Sequence, residues 1–418
     1  MNYLFRFVFA LMFLFLIDFY VFRTLKLQFE NLSKSTANII YIAHWMVPVV
    51  LIVFVVFFII NLNSFNNISN KYFLIIGGIF VLFYLPKLII VSFQLFEDFS
   101  KIIAFFTKKL SSNNSVIYES ANNISRSVFI GRIGLLIAAI PFISILYGII
   151  KGRFSYDIVE KRISFKNLPS AFNGFKIVQF SDLHIGSFLD NKEQVIKAID
   201  LINLQNPDVV LFTGDMVNNK ADELDGWENI LNKINAKFGV YSVLGNHDYG
   251  EYVKWTSLEE KKANIDDLIN RQKEMGFKLL LNNSEIIGID GEQIAIIGVE
   301  NWGKPPFPQY GKLNQACENV KDIPFKILMS HDPTHWEEEV LGKKNIALTL
   351  SGHTHGMQLA INFAGINWSP VKWKYNRWRG LYKENNQYLY VNIGLGFIAF
   401  PGRVGTNPEI TVIELQKS

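Results

Sequence analysis

Long apolar runs with few charged residues occupy the amino-terminal part of the chain. Four of them are long enough to cross a hydrocarbon core as helices, which takes roughly 20 residues. They extend over about residues 3–22, 38–60, 72–96 and 128–150. The third contains Pro86 and Lys87 and the first contains Arg6 and Asp18, so each is a candidate for a kinked or functional helix. We favour the other interpretation, in which Arg6 and Asp18 lie near helix ends and reach the interface. The pattern predicts an all-helical membrane region with four spans.

From about Tyr156 onward, short apolar runs alternate with amphipathic helices, which is typical of a layered α/β domain. We therefore predict a membrane region over residues 1–155 and a globular domain over residues 156–418. Five apolar runs of this domain end in polar clusters: FKIVQF before SDLH, PDVVLF before TGD, GVYSVL before GNHD, FKILM before SHDP, and IALTL before SGHTHG. Ligands bind at the carboxyl ends of strands in such sheets, so we expect the five clusters to converge.

Other runs complete two predicted sheets. The segment SEIIGIDGEQIAIIGVEN predicts a hairpin with Asp290 and Gly291 at its turn. The segments NQYLYVNIGLGF and EITVIELQ predict closing strands. The expected architecture is two sheets that face each other with helices outside.

Composition and charge agree with this division. Half of the 418 residues are hydrophobic, and the single cysteine, Cys317, cannot close an intrachain disulfide and receives no role. Residues 1–157 hold 13 Lys and Arg against 6 Asp and Glu, which leaves 28 against 31 for the remainder. A slightly acidic globular domain argues against broad electrostatic binding of nucleic acid, so we expect no nucleic acid partner.

The basic residues near the predicted span ends set the orientation. The first and third loops hold Arg23, Lys26, Lys34, Lys101, Lys108, Lys109 and Arg126, whereas the opposite side holds Lys71, Lys151, Arg153, Lys161 and Arg162. This bias places the globular domain on the outer face of the membrane. In addition, Ile124–Phe142 resembles a bacterial twin-arginine export signal with Ser127 in place of one arginine. We therefore expect a multi-pass protein of a bacterial inner membrane whose globular domain faces the periplasm.

Five of the seven histidines lie in the strand-end clusters, together with two aspartates and an asparagine. These residues are Asp182, His184, Asp215, Asn246, His247, His331, His353 and His355. One such histidine alone would more often be an ordinary surface or core residue. Buried histidines and carboxylates are costly unless they are paired or bind metal, and this donor set lacks a thiolate. It suits Mn, Fe, Zn, Co or Ni, and it disfavours a copper–thiolate site or an all-oxygen calcium site.

The ordered motifs DLH, GD, GNHD, His331 and GHTH resemble those of the calcineurin-like metallophosphoesterase superfamily, from about Phe175 to Leu415. The resemblance implies an α/β fold of the four-layer αββα sandwich type that binds two divalent metal ions (Mn, Fe or Zn). By this resemblance, Asp182, His184 and His355 bind one metal, Asn246, His331 and His353 bind the other, and Asp215 bridges them. It also makes His247 the residue that contacts the phosphoryl group or protonates the leaving oxygen. Asp248 or another nearby carboxylate is a candidate to orient the His247 ring. Two such cations lower the pKa of a shared water and clamp the phosphoryl oxygens, so that hydroxide attacks in line.

One departure narrows the expected reaction. Protein phosphatases of this superfamily extend the second motif to a form like GDxVDRG, whereas here Gly214 is followed by DMVNNKAD. The chain looks instead like the bacterial, membrane-attached branch, whose members hydrolyse phosphodiester or pyrophosphate bonds. We therefore expect an enzyme acting on a small phosphoester or on a lipid substrate at the bilayer.

Two later segments have open interpretations. Arg403, in GLGFIAFPGRVGTNPEI, either binds a substrate phosphate or is an exposed arginine without that role. Three tryptophans follow the GHTHG loop among four basic residues: Trp368, Trp373 and Trp378 with Lys372, Lys374, Arg377 and Arg379. This stretch is either an interfacial surface or wall for an apolar tail, or a packed hairpin.

Two alternatives compete with the leading hypothesis. The first is an enzyme of lipid A synthesis that cleaves UDP-2,3-diacylglucosamine, which requires a cytoplasmic substrate and conflicts with the expected orientation. The second is a metal-binding sensor or transporter-regulating domain without catalysis. The presence of every candidate ligand and of His247 argues against the second.

Overall fold

The computed structural model describes residues 3–60, 70–110, 126–363 and 365–418. The chain divides into two compact units. The first comprises Met1–Ile68 and Ile75–Tyr147, and the second comprises Ser69–Leu74 and Gly148–Ser418. Ile124 and Ser125, at the start of the twin-arginine-like segment, lie outside the described residues.

The first unit is helical. It is formed by α1 Tyr3–Phe29, α2 Lys34–Ile60 and most of α3 Asn70–Leu110 and α4 Arg126–Ile150. Among the described residues, three stretches are long and apolar enough to cross a membrane: Lys34–Phe54, Lys71–Thr107 and Arg126–Phe154. The helix expected over residues 3–22 is present as part of α1.

A buried ion pair lies inside this helical unit. Asp18 on α1 is 0% exposed, and its Oδ1 accepts a hydrogen bond of 2.5 Å from Nζ of Lys87 on α3. Its Oδ2 accepts one of 2.8 Å from the hydroxyl of Tyr84, and Nε2 of His44 on α2 lies 3.0 Å from the Asp18 carbonyl oxygen. The expectation that Asp18 reaches the interface is therefore wrong, because its charge is satisfied inside the helix bundle.

The second unit contains two six-stranded sheets. Sheet A has the order β1-β14-β2-β3-β4-β5, and sheet B has the order β12-β13-β9-β8-β7-β6. The strands of sheet A are β1 Asp157–Phe165, β2 Lys176–Phe180, β3 Val209–Phe212, β4 Val240–Ser242, β5 Phe277–Leu279 and β14 Glu409–Lys417. The strands of sheet B are β6 Asn283–Ile289, β7 Glu292–Gly298, β8 Lys326–Met329, β9 Leu348–Ser351, β12 Gly380–Glu384 and β13 Gln387–Val391. A short antiparallel pair, β10 Ile361–Phe363 and β11 Ile366–Trp368, stands apart from both sheets.

The two sheets pack face to face. Side chains of alternating strand residues, such as Ile177, Leu211, Ile296, Ile327 and Leu350, form one buried cluster between them. This packing follows from strand geometry, since residues two apart point to the same face.

Helices cover the outer faces. They are α5 Lys192–Leu204, α6 Glu228–Leu231 and α7 Leu258–Glu274 beside sheet A, and α8 Leu313–Ala316 beside sheet B. On α5 the buried residues are Val195, Ala198, Ile199 and Ile202, which recur at the helical spacing of three and four. The expected α/β fold with four layers, helix, sheet, sheet and helix, is confirmed.

Neighbouring parallel strands bring the polar clusters to one edge. The pairs β2–β3, β3–β4 and β8–β9 are parallel, so their carboxyl ends lie on the same side of each sheet. The predicted hairpin is also confirmed: β6 and β7 are antiparallel, and Asp290 and Gly291 at the turn have φ of 48° and 81°. Positive φ at both central residues is the geometry that tight hairpins require.

Candidate metal centre

Five strands end beside one another and present the polar clusters. The strand ends supply Asp182 and His184 after β2, Asp215 after β3, Asn246, His247 and Asp248 after β4, His331 after β8, and His353 and His355 after β9. Polar residues that are up to 173 positions apart in the chain, from Asp182 to His355, are thus brought together from both sheets.

The first group of side chains is formed by Asp182, His184 and His355. Their donor atoms lie within 4.8 Å of one another, and all three residues are buried. Nε2 of His355 lies 3.1 Å from Nε2 of His184 and 3.1 Å from Oδ1 of Asp182. This group can hold a metal ion through two imidazole nitrogens and one carboxylate oxygen.

The second group is formed by Asp215, His331 and His353, whose donor atoms also lie within 4.8 Å of one another. Nε2 of His331 lies 3.1 Å from Oδ2 of Asp215 and 3.3 Å from Nδ1 of His353. The side-chain oxygen of Asn246 lies 2.8 Å from the same Nδ1. Asp215 also lies 3.6 Å from Nε2 of His184, so its carboxylate is shared between the two groups.

The orientation of His331 fits a bound cation. Its Nδ1 lies 2.8 Å from the carbonyl oxygen of Thr213, which can only accept, so Nδ1 carries a proton. Nε2 then faces the Asp215 carboxylate, and such a contact is favourable only with a proton or a metal ion between the two atoms. Burial acts to lower the pKa of His331, but the charges of Asp215 and Asp182 outweigh it and raise that pKa to about 10. A divalent cation can take the place of this proton.

His184 and His353 favour the neutral form that metal binding needs. Burial, with the nearby charge of His247, lowers the pKa of His184 well below its ordinary value. Burial is also the main cause that lowers the pKa of His353 to about 4. Among the described residues, Nδ1 of His184 is a buried atom without a hydrogen-bond partner. The donor set and its protonation therefore fit divalent transition metals.

The loops reach this geometry through a backbone conformation that non-glycine residues seldom adopt. Asp182, His184, Asp215, His353 and His355 have φ of 50°, 45°, 60°, 72° and 49°, all in the left-handed region. Each such residue costs on the order of 1 kcal/mol and persists only where the surroundings hold it, which is common at functional sites. The strand-to-loop turns thus aim the side chains inward at a local cost.

Two motif glycines are required by close packing. A Cβ atom on Gly245 would lie 2.2 Å from Oδ1 of Asp215, and one on Gly352 would lie 2.3 Å from Oδ2 of Asp182. Neither carboxylate can move without leaving the site. The glycines before Asn246 and His353 therefore make room for the acidic side chains.

Comparison with known proteins agrees with this geometry. Residues 175–357 match the family model described as calcineurin-like phosphoesterase. The uncharacterized metallophosphoesterase YkuE of Bacillus subtilis is 31% identical over 273 residues, which are 63% of this chain and 86% of that protein. The chain belongs to the calcineurin-like phosphoesterase family. It is accordingly a hydrolase of phosphoric esters.

The helical unit has a family match of its own. Residues 2–153 match a model described as a probable calcineurin-like phosphoesterase transmembrane domain, which makes this phosphoesterase a membrane protein. A zebrafish transmembrane protein with a metallophosphoesterase domain is 25% identical over 284 residues, 65% of this chain but only 60% of that protein. Phosphodiesterase YaeI of Escherichia coli is 25% identical over 262 residues, 62% of this chain and 88% of that protein.

His247 lies against the candidate metal ligands of the phosphoesterase. Its backbone N–H donates a hydrogen bond of 2.8 Å to Oδ1 of Asp215. Its ring nitrogen Nδ1 lies 2.7 Å from the carbonyl oxygen of Asn218, so Nδ1 carries a proton and donates it. The ring stands between those of His184 and Tyr252, with centroid distances of 4.8 and 4.5 Å. The Asn218 contact leaves Nε2 as the nitrogen that can exchange a proton with substrate.

Asp248 was a candidate to orient the His247 ring, but its carboxylate binds backbone groups instead. Its carboxylate accepts hydrogen bonds from four backbone N–H groups, at distances of 2.8 to 3.2 Å. The donors are Asp215, Met216, Val217 and Gly245. Asp248 therefore ties the loop after β3 to the loop after β4, and the partner of the His247 ring is a carbonyl oxygen instead.

Arg403 is buried, whereas both interpretations from the sequence treated it as an accessible loop residue. It is 1% exposed, and its guanidinium donates to the carbonyl oxygens of Gly396, Ile393 and Thr406 at 2.6 to 3.2 Å. Its Nη2 lies 3.4 Å from Nδ1 of the candidate ligand His355. Burial lowers the pKa of Arg403 to about 10, although the charge of Asp182 acts in the opposite direction. In this position the side chain supports the loop beneath His355 and is not open to a substrate phosphate.

Several contacts of the site carry no sequence signal. The carbonyl oxygens of Thr213 and Asn218 orient His331 and His247, and any residue type supplies such an oxygen. The hydroxyl of Tyr252 accepts a hydrogen bond of 2.8 Å from Nδ2 of Asn246. Tyr252 lies six residues after Asn246, outside the GNHD motif, and nothing in its sequence position indicates this contact.

Proposed function

We propose that this phosphoesterase is a membrane-anchored, dinuclear metal-dependent enzyme that hydrolyses a phosphodiester or pyrophosphate bond. Residues 156–418 form the catalytic domain and residues 1–155 the membrane region. The observation that carries the proposal is the position of Asp215, whose carboxylate lies within 3.6 Å of one histidine from each ligand group. A residue that contacts both groups is what a two-metal site needs.

In this proposal the two groups bind one divalent cation each. Asp182, His184 and His355 hold the first, Asn246, His331 and His353 hold the second, and Asp215 contacts both. The bound cations supply Lewis acidity for the attacking water and offset the negative charge of the phosphoryl group. The protein then needs no side-chain nucleophile.

His247 is the proposed proton donor to the leaving oxygen. The Asn218 carbonyl holds one ring proton on Nδ1, so Nε2 is the nitrogen that takes up a second proton and passes it to the leaving oxygen. The backbone contact to Asp215 keeps the ring beside the ligands. A positioned histidine of this kind contributes about 10²–10⁴-fold to the rate of such reactions.

Two observations favour a diester or pyrophosphate over a phosphoprotein. The loop after Gly214 lacks the arginine that protein phosphatases of the superfamily use for phosphate. One of the relatives, from Escherichia coli, carries the name phosphodiesterase. The leading substrate class is therefore a phosphodiester, with pyrophosphate as its close chemical relative.

The test is hydrolysis by the purified full-length protein in detergent micelles. A chromogenic phosphodiester and a chromogenic phosphomonoester are each supplied with Mn²⁺, which is then chelated. We expect cleavage of the diester that stops with the chelator and returns with added metal. Failure to cleave either ester with any divalent metal bound would instead favour the non-catalytic sensor.

A lipid-linked substrate is the finer proposal. Trp373 is 82% exposed, and Met357 and Ile361 are exposed beside the GHTHG loop. Trp378, by contrast, is buried against Tyr375, so only part of the tryptophan-rich stretch is open to a partner. Exposed tryptophan with the neighbouring Lys372 is typical of a surface that meets lipid head groups.

Sidedness separates the candidate lipid substrates. We propose that the catalytic domain faces the periplasm of a bacterial inner membrane, on the basis of the basic loop residues. A reporter active only outside the cytoplasm, fused to the carboxyl terminus, should then be active. A silent reporter in a stable fusion would favour the cytoplasmic alternative, cleavage of UDP-2,3-diacylglucosamine.

A further inference from the structure

The second ligand group has a polar neighbour outside the recognised motifs. Nε2 of His353 lies 2.7 Å from the hydroxyl of Tyr375 and 3.5 Å from Oδ2 of Asp332. The other ring nitrogen, Nδ1, faces Asn246 and His331. His353 is therefore held between the ligand group on one side and a tyrosine–aspartate pair on the other.

The ring of His353 has two neutral tautomers with opposite consequences. With the proton on Nδ1, the ring donates to Asn246 and has no lone pair to offer a cation on that side. With the proton on Nε2, the ring donates to Tyr375, and the lone pair of Nδ1 points toward the ligand group. Only the second tautomer can bind a metal through Nδ1.

Asp332 favours the second tautomer. Its Oδ1 accepts from the backbone N–H and the hydroxyl of Thr334 at 2.8 and 2.7 Å. Its Oδ2 is buried and has no hydrogen-bond partner among the described residues. This oxygen and the hydroxyl of Tyr375 lie beside the same Nε2 of His353, at 3.5 and 2.7 Å. A buried carboxylate oxygen without a donor is costly, so that hydroxyl gains most by turning its proton toward Asp332. The tyrosine oxygen can then only accept from Nε2 of His353.

We propose that Tyr375 and Asp332 are positioning residues that hold the proton of His353 on Nε2 and so present Nδ1 to the second divalent cation. The inference rests on the proposed function, which makes His353 a ligand of that cation. Neither residue touches the reacting atoms. Their effect is on metal affinity, and outer partners of this kind typically change affinity about 10–100-fold.

The chain offers a matched control in the same segment. The hydroxyl of Tyr382 accepts from the backbone N–H groups of Trp378 and Arg379, at 3.1 and 3.4 Å. Tyr375→Phe and Tyr382→Phe therefore both remove a hydroxyl and keep the ring. Only the first removes the contact to a proposed ligand.

The experiment measures Mn²⁺ bound per full-length chain in detergent micelles across a range of free Mn²⁺, with electron paramagnetic resonance to separate coupled from single ions. The wild-type protein and Tyr382→Phe should bind two ions. Tyr375→Phe and Asp332→Asn should bind one ion as tightly as the wild type and the other about 10–100-fold more weakly, with a single-ion signal at low Mn²⁺. At saturating Mn²⁺ the kcat of Tyr375→Phe should return to near the wild-type value.

Three outcomes would overturn the inference. They are wild-type affinity for both ions in either variant, an equal loss of both ions, or a kcat that stays low at saturating Mn²⁺. A wild-type protein that binds fewer than two ions would instead contradict the proposed function, so the two failures are distinguishable. The tightly bound first ion reports in each variant that the domain is folded.

Discussion

The Nε2 atoms of His184 and His355 lie 3.1 Å apart. Two ring nitrogens at this distance are stable only when one donates a proton to the other or when a cation lies between them and binds both. In a buried site lined by Asp182 and Asp215, a divalent ion would satisfy both nitrogens and offset both carboxylates. The pair therefore links the geometry of the site to the stability of the domain.

Metal binding should raise the thermal stability of the protein. A ligand that binds only the folded state at a hundred times its Kd stabilises that state by about 2.7 kcal/mol. We expect the apparent melting temperature of the detergent-solubilised protein to rise with Mn²⁺ and to fall with chelator. If Mn²⁺ raised the melting temperature of the His184→Ala variant by the same amount, the proposed role of His184 as a metal ligand would be contradicted.

Replacing Asp215 by Asn should abolish activity and preserve the fold. The amide oxygen can still accept from the backbone N–H of His247, but the negative charge shared by both ligand groups is lost. We expect a loss of more than about 100-fold in kcat/KM for a phosphodiester. Replacing a residue that only hydrogen-bonds to a metal ligand already lowers metal affinity or activity by about 10–100-fold, and Asp215 is itself a proposed ligand. Asp208→Asn is the control, since that carboxylate accepts from the backbone of Lys176 at the start of β2. Equal activity of the two variants would refute the shared-ligand assignment.

Replacing His247 by Gln should lower kcat and leave metal content unchanged. Without a proton donor the leaving oxygen departs as an anion, so the loss should depend on the leaving group. We expect about 10²–10⁴-fold for an alkyl leaving group and much less for 4-nitrophenolate. The same loss for both leaving groups would show that His247 acts on the phosphoryl group and not on the leaving oxygen.

Replacing Asp248 by Asn should destabilise the catalytic domain. The carboxylate accepts from four backbone N–H groups, and an amide nitrogen would face some of them as a second donor. Each buried donor left without a partner costs about 1–3 kcal/mol. The apparent melting temperature, measured with and without saturating Mn²⁺, should fall in both conditions. A variant as stable as the wild type would show that these loops do not depend on the carboxylate.

Removing one member of the Asp18–Lys87 pair should destabilise the helical unit. Lys87→Met leaves a buried carboxylate in the interior of the unit, and breaking a buried pair in this way costs about 3–5 kcal/mol. The double variant Asp18→Leu with Lys87→Met should recover most of the loss, because no buried charge remains. Thermal unfolding in detergent measures both.

An exposed pair serves as the reference for the Asp18–Lys87 experiment. Arg162 lies 3.6 Å from Glu414, and Arg162→Met should change stability by less than about 1 kcal/mol. A double variant no more stable than Lys87→Met would mean that Asp18 contributes through packing and not through its charge.

The strands and the convergence of their ends were predictable from the sequence. The periodicity of apolar residues and the position of each motif after an apolar run are both local properties of the chain. The run FKIVQF predicts β2, and Asp182 and His184 follow where the strand ends. Parallel pairing of β2, β3 and β4 then brings the clusters to one edge. The amphipathic helix α5 between β2 and β3 was predictable for the same reason, since its apolar residues recur at helical spacing.

The roles of polar residues outside the motifs depend on where distant segments pack, and local patterns do not carry that information. Arg403 reads as an accessible loop residue, yet three carbonyl oxygens bury its guanidinium behind His355. Asp248 follows a histidine in sequence, but its carboxylate bonds backbone groups on two loops.

The sequence by itself determined the membrane helices, the layered α/β domain and the identity of the residues at the strand ends. These features follow from hydrophobic periodicity and from residue type at fixed spacing. Only the tertiary structure decided that Asp18 pairs with Lys87, that Asp248 holds two loops and that Tyr375 lies behind His353. The physical reason is that a buried polar group must find a partner in three dimensions, and the nearest partner is set by packing rather than by distance along the chain.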